Sequence, residues 1–297
     1  MKNLVMFLFM ALGLCACGSS ASDAVAQNRT VEYRGGSFTV DNSQLNHPDK
    51  VTTRSFTTSA FKGLDASVGV EVLYTQGTDD RAKVKVTVTK EYADYFVAKV
   101  KDGTMTVSWD QDRMRRDFGD KRFKVAARVE ITAPAFHKLE ATSGTNVRFE
   151  NGLDVHGKFE AELTSGAILN ADNVKATEVE MEANSGAVLN SSSVKCSKYK
   201  ADVSAGGIIR ATGITYTEKA ELEASSGAVM EIGFAESDGK LKADASSGAV
   251  MEIKGKTVGD VELDASSGGM IKASSLKVRF FSSNVSSGGM VEKPSFH

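Results

Sequence analysis

From about residue 52 to 140 apolar and polar residues alternate with a period of two. The clearest runs are Val68-Gly69-Val70-Glu71-Val72-Leu73-Tyr74, Ala82-Lys83-Val84-Lys85-Val86-Thr87-Val88, Thr104-Met105-Thr106-Val107-Ser108-Trp109 and Lys124-Val125-Ala126-Ala127-Arg128-Val129-Glu130-Ile131. Side chains leave a strand on alternate faces, so these runs predict half-buried β-strands. Tyr74-Thr75-Gln76-Gly77 and Lys101-Asp102-Gly103 supply turn residues, and Glu91 to Ala98 suits a short helix. The densely charged stretch Asp112 to Arg122 reads as a solvated hairpin loop, with contact to an anionic glycan or a phosphate as the alternative.

The second half repeats. A Ser-Gly pair, once Ala-Gly, recurs with its glycine at Gly144, Gly166, Gly186, Gly206, Gly227, Gly248, Gly268 and Gly288, at spacings of 22, 20, 20, 21, 21, 20 and 20. A unit this short has no room for two helices, and its period is two. It predicts one coil of a β-solenoid. Three, five and seven residues before the glycine stand inward-pointing apolar residues, such as Phe159, Ala161 and Leu163 or Val261, Leu263 and Ala265. After the glycine a small residue and then two apolar ones, such as Val188-Leu189 or Val250-Met251, begin a second strand across a corner. The glycines are expected to permit the bend. Ser143, Ser165, Ser185, Ser226, Ser247, Ser267 and Ser287 are expected to stack and pass hydroxyl hydrogen bonds between coils. The fold class is all-β: a right-handed parallel β-helix or β-solenoid of about eight coils of 20–22 residues, preceded by a strand-rich part. At about 4.8 Å per coil the rod measures roughly 40 Å.

Composition changes the picture at the N terminus. Lys2 precedes an apolar run, Leu4 to Leu14, too short to span a bilayer, and Leu14-Cys15-Ala16-Cys17-Gly18 follows a lipobox pattern. Residues 1–17 are therefore read as a lipoprotein signal with Cys17 lipidated. Each buried acyl methylene contributes about 0.8 kcal/mol, so several chains on one cysteine anchor durably. Residues 18–50, rich in Ser, Ala, Asn, Asp and Gln, read as a flexible tether, followed by strand-rich residues 51–140 and the repeats of 141–297. The chain is thus exported and lipid-anchored, most simply on the outer membrane of a Gram-negative bacterium. With 36 basic and 38 acidic residues it lacks the charge of a nucleic-acid binder, and 27 glycines against 3 prolines exclude a collagen-like chain. Cys196 stands alone beyond the signal, which leaves no internal disulfide and suggests an inert thiol in or near the core.

Several of these motifs recur together in one family. Arg54-Ser55-Phe56, Phe61-Lys62-Gly63-Leu64, Val68 to Val72, Asp102 to Val107, Val129 to Pro134, Lys138 to Gly144 and the Ser-Gly-Ala coils are the carriers. With them the chain resembles, over about residues 52 to 292, the head GIN domain family of auto-transporter adhesins, common as lipoproteins in the Bacteroidetes. The resemblance implies a β-helix or related solenoid and an adhesin-like role.

Candidate chemistry is sought where the repeat breaks. Four residues before each glycine stand Glu140, Glu162, Glu182, Asp202, Glu223, Asp244, Asp264 and then Asn284, an outward acidic ladder. Two positions earlier stand Lys138, Glu160, Glu180, Lys200, Glu221, Lys242, Glu262 and Ser282, which offset part of its charge. The ladder reads as a solvated face, or else as a collector of Ca²⁺ or cationic partners. Neighbouring carboxylates also admit a carbohydrate-active enzyme, a polysaccharide lyase or hydrolase. That reading is weaker, because such pairs occur all along the ladder. Arg148 and Arg210 are basic outliers, and His47, His137, His156 and His297 have no metal-ligand spacing. Trp109 and Tyr199 read as core or edge aromatics. The last coil loses its charges at Ser282 and Asn284, which predicts either a cap made by the tail or pairing between solenoid ends. The sequence therefore points to a non-enzymatic surface or periplasmic lipoprotein, an adhesin-like binding or scaffolding module that presents repeated polar faces to a glycan or a protein.

Overall fold

A computed structural model describes residues 29–33, 36–119, 121–257 and 259–296. Its dominant element is a parallel β-solenoid. Each turn has three strand stretches, shown by one coil pairing Phe159↔Val179, Leu169↔Leu189 and Val174↔Val194 with the next. Along the first stretch the expected inward residues, such as Phe159, Ala161 and Leu163, are buried.

The eight repeated corners delimit seven complete turns, and their geometry is sharper than expected. Both residues of each pair are left-handed, the serine or alanine with φ of 47–55° and the glycine with φ of 69–77°. The residue after the glycine donates its N–H to the carbonyl of the residue before the serine, at 2.7–3.3 Å. Two positive φ values closed by such a bond define a type I′ turn. Corners are linked through the backbone: Gly144 N–H donates to the Ser165 carbonyl, Gly166 to Ser185, Gly227 to Ser247 and Gly268 to Ser287, at 3.0–3.2 Å. This corrects the expected serine hydroxyl relay. Hydroxyls pass between coils one residue earlier, where Thr164 donates to Thr142 at 3.1 Å and Ser204 donates to Asn184. A Cβ on any corner glycine from Gly166 to Gly288 would meet nothing within 4 Å, so dihedral angle rather than space selects glycine there.

The solenoid starts earlier than the repeat in the sequence suggests. Val68 and Gly69 are also left-handed, with φ of 61° and 69°, and Gly69 N–H donates to the Ser143 carbonyl at 2.9 Å. Strands Gly63–Ala66 and Glu71–Gln76 pair in parallel with Lys138–Ala141 and Asn146–Phe149, completing a further coil. Residues 77–137 leave that coil and fold back as its cap. Thr104–Trp109 and Ala127–Ala133 extend the first two faces, and antiparallel strands Phe96–Lys101, Arg81–Thr89 and Val51–Ser59 finish them. Tyr74, Phe136, Phe149 and Phe159 meet edge to face where cap and coils join, with centroids 4.8–6.0 Å apart. Trp109 and Tyr199 are buried as expected.

Three expectations fail near the cap. The tether of residues 18–50 is partly structured: Arg29–Tyr33 pairs antiparallel with Gly36–Val40, which pairs in parallel with Arg122–Val125. Phe38 stacks on Phe123 at 5.3 Å, and Val40 occupies the space beside Gly69, where a Cβ would lie 2.1 Å from it. The rest of the tether before Arg29, like the signal and Cys17, lies outside the described residues. The expected hairpin loop is instead a helix, Gln111–Phe118. The Asp110 side chain accepts from Arg113 N–H at 3.0 Å as its N-cap, Met114 is buried, and Phe118 packs on Tyr92, Tyr95 and Phe123. The helix expected over Glu91–Ala98 is a 3₁₀ turn at Lys90–Tyr95 followed by a strand.

Two glycines with positive φ separate the two reasons for glycine. Gly227→Ala meets no atom, so it is expected to cost only the left-handed penalty, about 1–2 kcal/mol, lowering the thermal midpoint by a few degrees. Gly255→Ala places its Cβ 1.8 Å from the Phe234 carbonyl oxygen and must displace the neighbouring coil, so its midpoint falls well below that of Gly227→Ala. Equal losses in thermal melting would refute the distinction.

Candidate functional site

Parallel stacking places like residues on like, so each face of the rod carries continuous rows. On the first face the predicted ladder is in register: Glu140↔Glu162↔Glu182↔Asp202↔Glu223↔Asp244↔Asp264↔Asn284, with Asp65 one rung earlier. Carboxylates about 4.8 Å apart repel by roughly 1 kcal/mol per pair even in water. Burial, reinforced by Glu223 and Glu182, pushes the Asp202 carboxyl above its usual range, and burial does the same to Asp65 and Asp244. A hydrogen bond shared with Glu160, then burial, raises Glu162.

Lysines from two neighbouring rows hold this face together. Lys138 reaches Glu140 at 2.9 Å, Glu162 at 3.2 Å and Glu160 at 3.6 Å, while Lys242 reaches Asp244 at 3.4 Å. The second row contains Lys158↔Glu178↔Lys198↔Lys219↔Lys240, and sequence reading did not single it out. Lys158 pairs with Glu180, and Lys200 meets Glu180 at 2.8 Å. Hydrogen bonds from these two lysines hold the Glu180 carboxyl below its ordinary range. Among the described residues no three His, Cys, Asp or Glu side chains gather closely enough to hold a metal. The face is a cross-linked charge lattice.

The second face is of another kind. Ile168↔Val188↔Ile208↔Val229↔Val250↔Met270 form a row pointing outward, each half-buried, ending in exposed Met290. Their neighbours Leu169, Leu189, Ile209, Met230, Met251 and Ile271 fill the core. The sequence shows the apolar doublet in each coil from Ile168-Leu169 onward, and strict alternation would have sent its first member outward. Beside this row run Arg148↔Asn170↔Asn190↔Arg210. Asn190 donates to the Asn170 carbonyl oxygen at 3.0 Å, Arg148 pairs with Glu150, and Arg210 lies 3.5 Å from Glu231. The two arginine outliers thus share one site, a groove of about 560 Å³ over Ile168 and Val188. At its cap end Arg128 donates to buried Glu71 at 2.7 Å. Cys196 lies away from it on the third face; burial pushes its thiol up to about 12, which suits the inert role expected.

A capped solenoid with one face a charge lattice and another an aliphatic stripe with a polar edge is a repetitive display scaffold. The chain belongs to the family described as "Putative auto-transporter adhesin, head GIN domain", whose model matches residues 60–256. Its fold is similar to those of two proteins described as putative adhesins. The one from Parabacteroides merdae ATCC 43184 has 14% identity and a TM-score of 0.67, with 83% of this chain and 98% of that one covered. The one from Parabacteroides distasonis ATCC 8503 has 15% identity and a TM-score of 0.68, with 82% and 96% covered. A third structure, described as a putative lipid binding protein from the same strain of P. distasonis, is 14% identical, with a TM-score of 0.67 and coverage of 83% and 98%. At these identities the likeness is one of fold. No curated protein matches the chain.

The charge lattice predicts opposite effects from two neutralised carboxylates. The raised Asp202 binds its proton more tightly folded than unfolded, so its charge opposes folding at neutral pH. Asp202→Asn is expected to be more stable than wild type at pH 7, by about 0.5–1 kcal/mol, and equal to it once both states are protonated at low pH. The lowered Glu180 contributes stability above its unfolded value that disappears as pH falls through its folded one. Glu180→Gln is therefore less stable at pH 7 and converges on wild type in acid. Thermal melts from pH 3 to 7 decide, and shifts of the same sign would overturn the lattice.

Proposed function

We propose that this protein is a non-enzymatic, exported binding module of the adhesin type, and that its second face is the binding surface. One observation carries the proposal: an outward row of aliphatic side chains persists from Ile168 to Met290, where a face kept only for solubility would carry polar residues. An extended glycan or protein chain laid along the rod gains apolar contact from that row and hydrogen bonds from Arg148, Asn170, Asn190 and Arg210. The groove breaks the repeat with amides and guanidinium groups, which hold a ligand rather than transfer protons. Its carboxylates are engaged, Glu71 by Arg128 and Asp172 by the Ser192 hydroxyl at 2.6 Å. This supports binding over a polysaccharide lyase or hydrolase.

The apolar run and lipobox before Gly18 support a lipid anchor at Cys17, which would hold the rod at the outer membrane. The adhesin family supports a cell-surface role, and the neighbour described as lipid binding is compatible with apolar contact on such a face.

Val188→Lys places a charge in the middle of the stripe without entering the core. The intact chain carrying it is expected to lose at least tenfold in retention on immobilised polysaccharide and protein panels, with an unchanged circular dichroism spectrum. Retention equal to wild type on every ligand that wild type binds would remove the second face as the site.

A further inference from the structure

The two ends of the rod are finished differently. At the N-terminal end two faces close with antiparallel strands, and the outermost, Val51–Ser59, is polar and exposed over Thr52–Ser55. Edges blunted in this way resist further pairing. At the other end strand Phe280–Val285 lies on Asp260–Ala265, and among the described residues no strand pairs with its far side. The tail does not cap it: Ser295–Phe296 pairs with Leu276–Val278 and completes the third face of the same coil.

This last coil leaves the core open. The inward row below it, Val261, Leu263 and Ala265, is at most 2% exposed, whereas Val285 in the same row is 49% exposed. Phe280 is 60% exposed, Met290 51% and Phe296 65%, and with Val285 these are the exposed large hydrophobic residues of the described chain. Phe281, half-buried against the core, stacks across the coil on exposed Phe296 at 5.6 Å.

Charge disappears from the first face at this same rung. Asp260, Glu262 and Asp264 are succeeded by Phe280, Ser282 and Asn284. A second copy approaching end to end by a two-fold rotation about the normal of the first face sets the first-face strand against its own counterpart. Acidic rungs would then face acidic rungs and repel. Neutral residues remove that repulsion where the copies would touch. A head-to-tail contact would instead press the apolar coil against a polar edge and propagate as a filament.

We propose that two copies of this chain pair through their C-terminal coils, strand Phe280–Val285 adding antiparallel to its counterpart about a two-fold axis. Side-chain alternation allows only registers that keep inward residues opposite inward ones. The register centred on Ser283 places Phe281 over Val285 and Ser282 over Asn284. The four exposed side chains and the strand edge offer on the order of 500 Å² per copy, so a pair reaches about 1,000 Å², the lower bound of a specific interface. Residues 36–40 pack at the capped end, beside Gly69. Copies anchored through their N termini would therefore meet tip to tip from facing membranes. That consequence rests on the lipid anchor, whereas the pairing does not.

Sedimentation equilibrium of the full chain in density-matched detergent tests the pairing. Wild type is expected at twice the chain mass. The double variant Phe280→Lys/Met290→Lys, which alters two already exposed side chains, is expected to associate at least tenfold more weakly with an unchanged spectrum. In oxidised membranes Ser283→Cys is expected to give a disulfide-linked dimer, and Ser226→Cys, at an exposed corner midway along the rod, is not. Wild type at single mass at the highest attainable concentration, or a double variant that pairs as wild type does, overturns the proposal, and either result leaves binding by the second face untouched.

Discussion

The structure depends on a turn that must recur at the same place in every coil. Each corner holds two successive residues in the left-handed region and closes with a backbone hydrogen bond, and six of the eight repeated corners donate a second bond to the corner of the next coil. The first position tolerates serine, alanine or valine, whereas the second is glycine at every corner, where a side chain would cost about 1–2 kcal/mol. Because the turn is short and fixed, the strands on either side have their register set for them. A slip of one residue would turn every inward side chain outward. The spacing of 20–22 residues is therefore a length constraint on the three strand stretches between corners.

Fixed register has an unavoidable consequence, which is that each row stacks on itself. Rows of alanine, leucine and valine gain from this, since identical shapes nest within the core. Rows of carboxylates lose, and the first face offsets the loss with lysines that each reach two or three acids across neighbouring coils. The same logic makes the second face informative. A row of aliphatic residues pointing to solvent is repeated in each coil from Ile168 to Met290, although nothing in the corner or the core requires it. The corner needs only its left-handed pair, and the core needs only the second residue of the apolar doublet. The first is free to be polar, as Asn146 is one coil earlier, and from Ile168 onward it is not.

What the sequence revealed follows from which constraints are local. Ser-Gly corners are legible because the pair is chemically distinctive and evenly spaced. The Val68-Gly69 corner has the same geometry but is hidden, because a β-branched residue is an unlikely choice for a left-handed position and because residues 77–137 intervene before the next corner. Phe38-Thr39-Val40 lies within the stretch whose polar composition reads as tether. Its partners, Phe123 and the space above Gly69, are far along the chain, and no local pattern shows them. The charged stretch after Asp110 hid a helix because its apolar contacts are only Met114 and Phe118. On the candidate site, the acidic ladder was visible as a period. The apolar doublets are legible as the start of a second strand, but the outward stripe made by their first members exists only once the coils stack. The groove was missed because Arg148 and Arg210 lie 62 positions apart in the chain and only three rungs apart in the rod.

A repeat specifies its own continuation but not its ends. Each coil is the template for the next, since its unpaired backbone edge and open core are satisfied only by another coil. Ending the array requires sequence that departs from the period, and the two ends depart in different directions. At the first coil the departure is an insertion that turns the strand direction around, so the last edge is antiparallel, polar and twisted away from further growth. At the final coil the period is kept in backbone and abandoned in side-chain chemistry: charges give way to Phe280, Ser282 and Asn284, while the core row stays open at Val285. A terminus needing only solubility would keep its charges. Here the outward row is uncharged, and the inward row holds Phe281 and Val285 with one polar residue, Ser283, between them. A coil that templates coils is most simply completed by another of its kind.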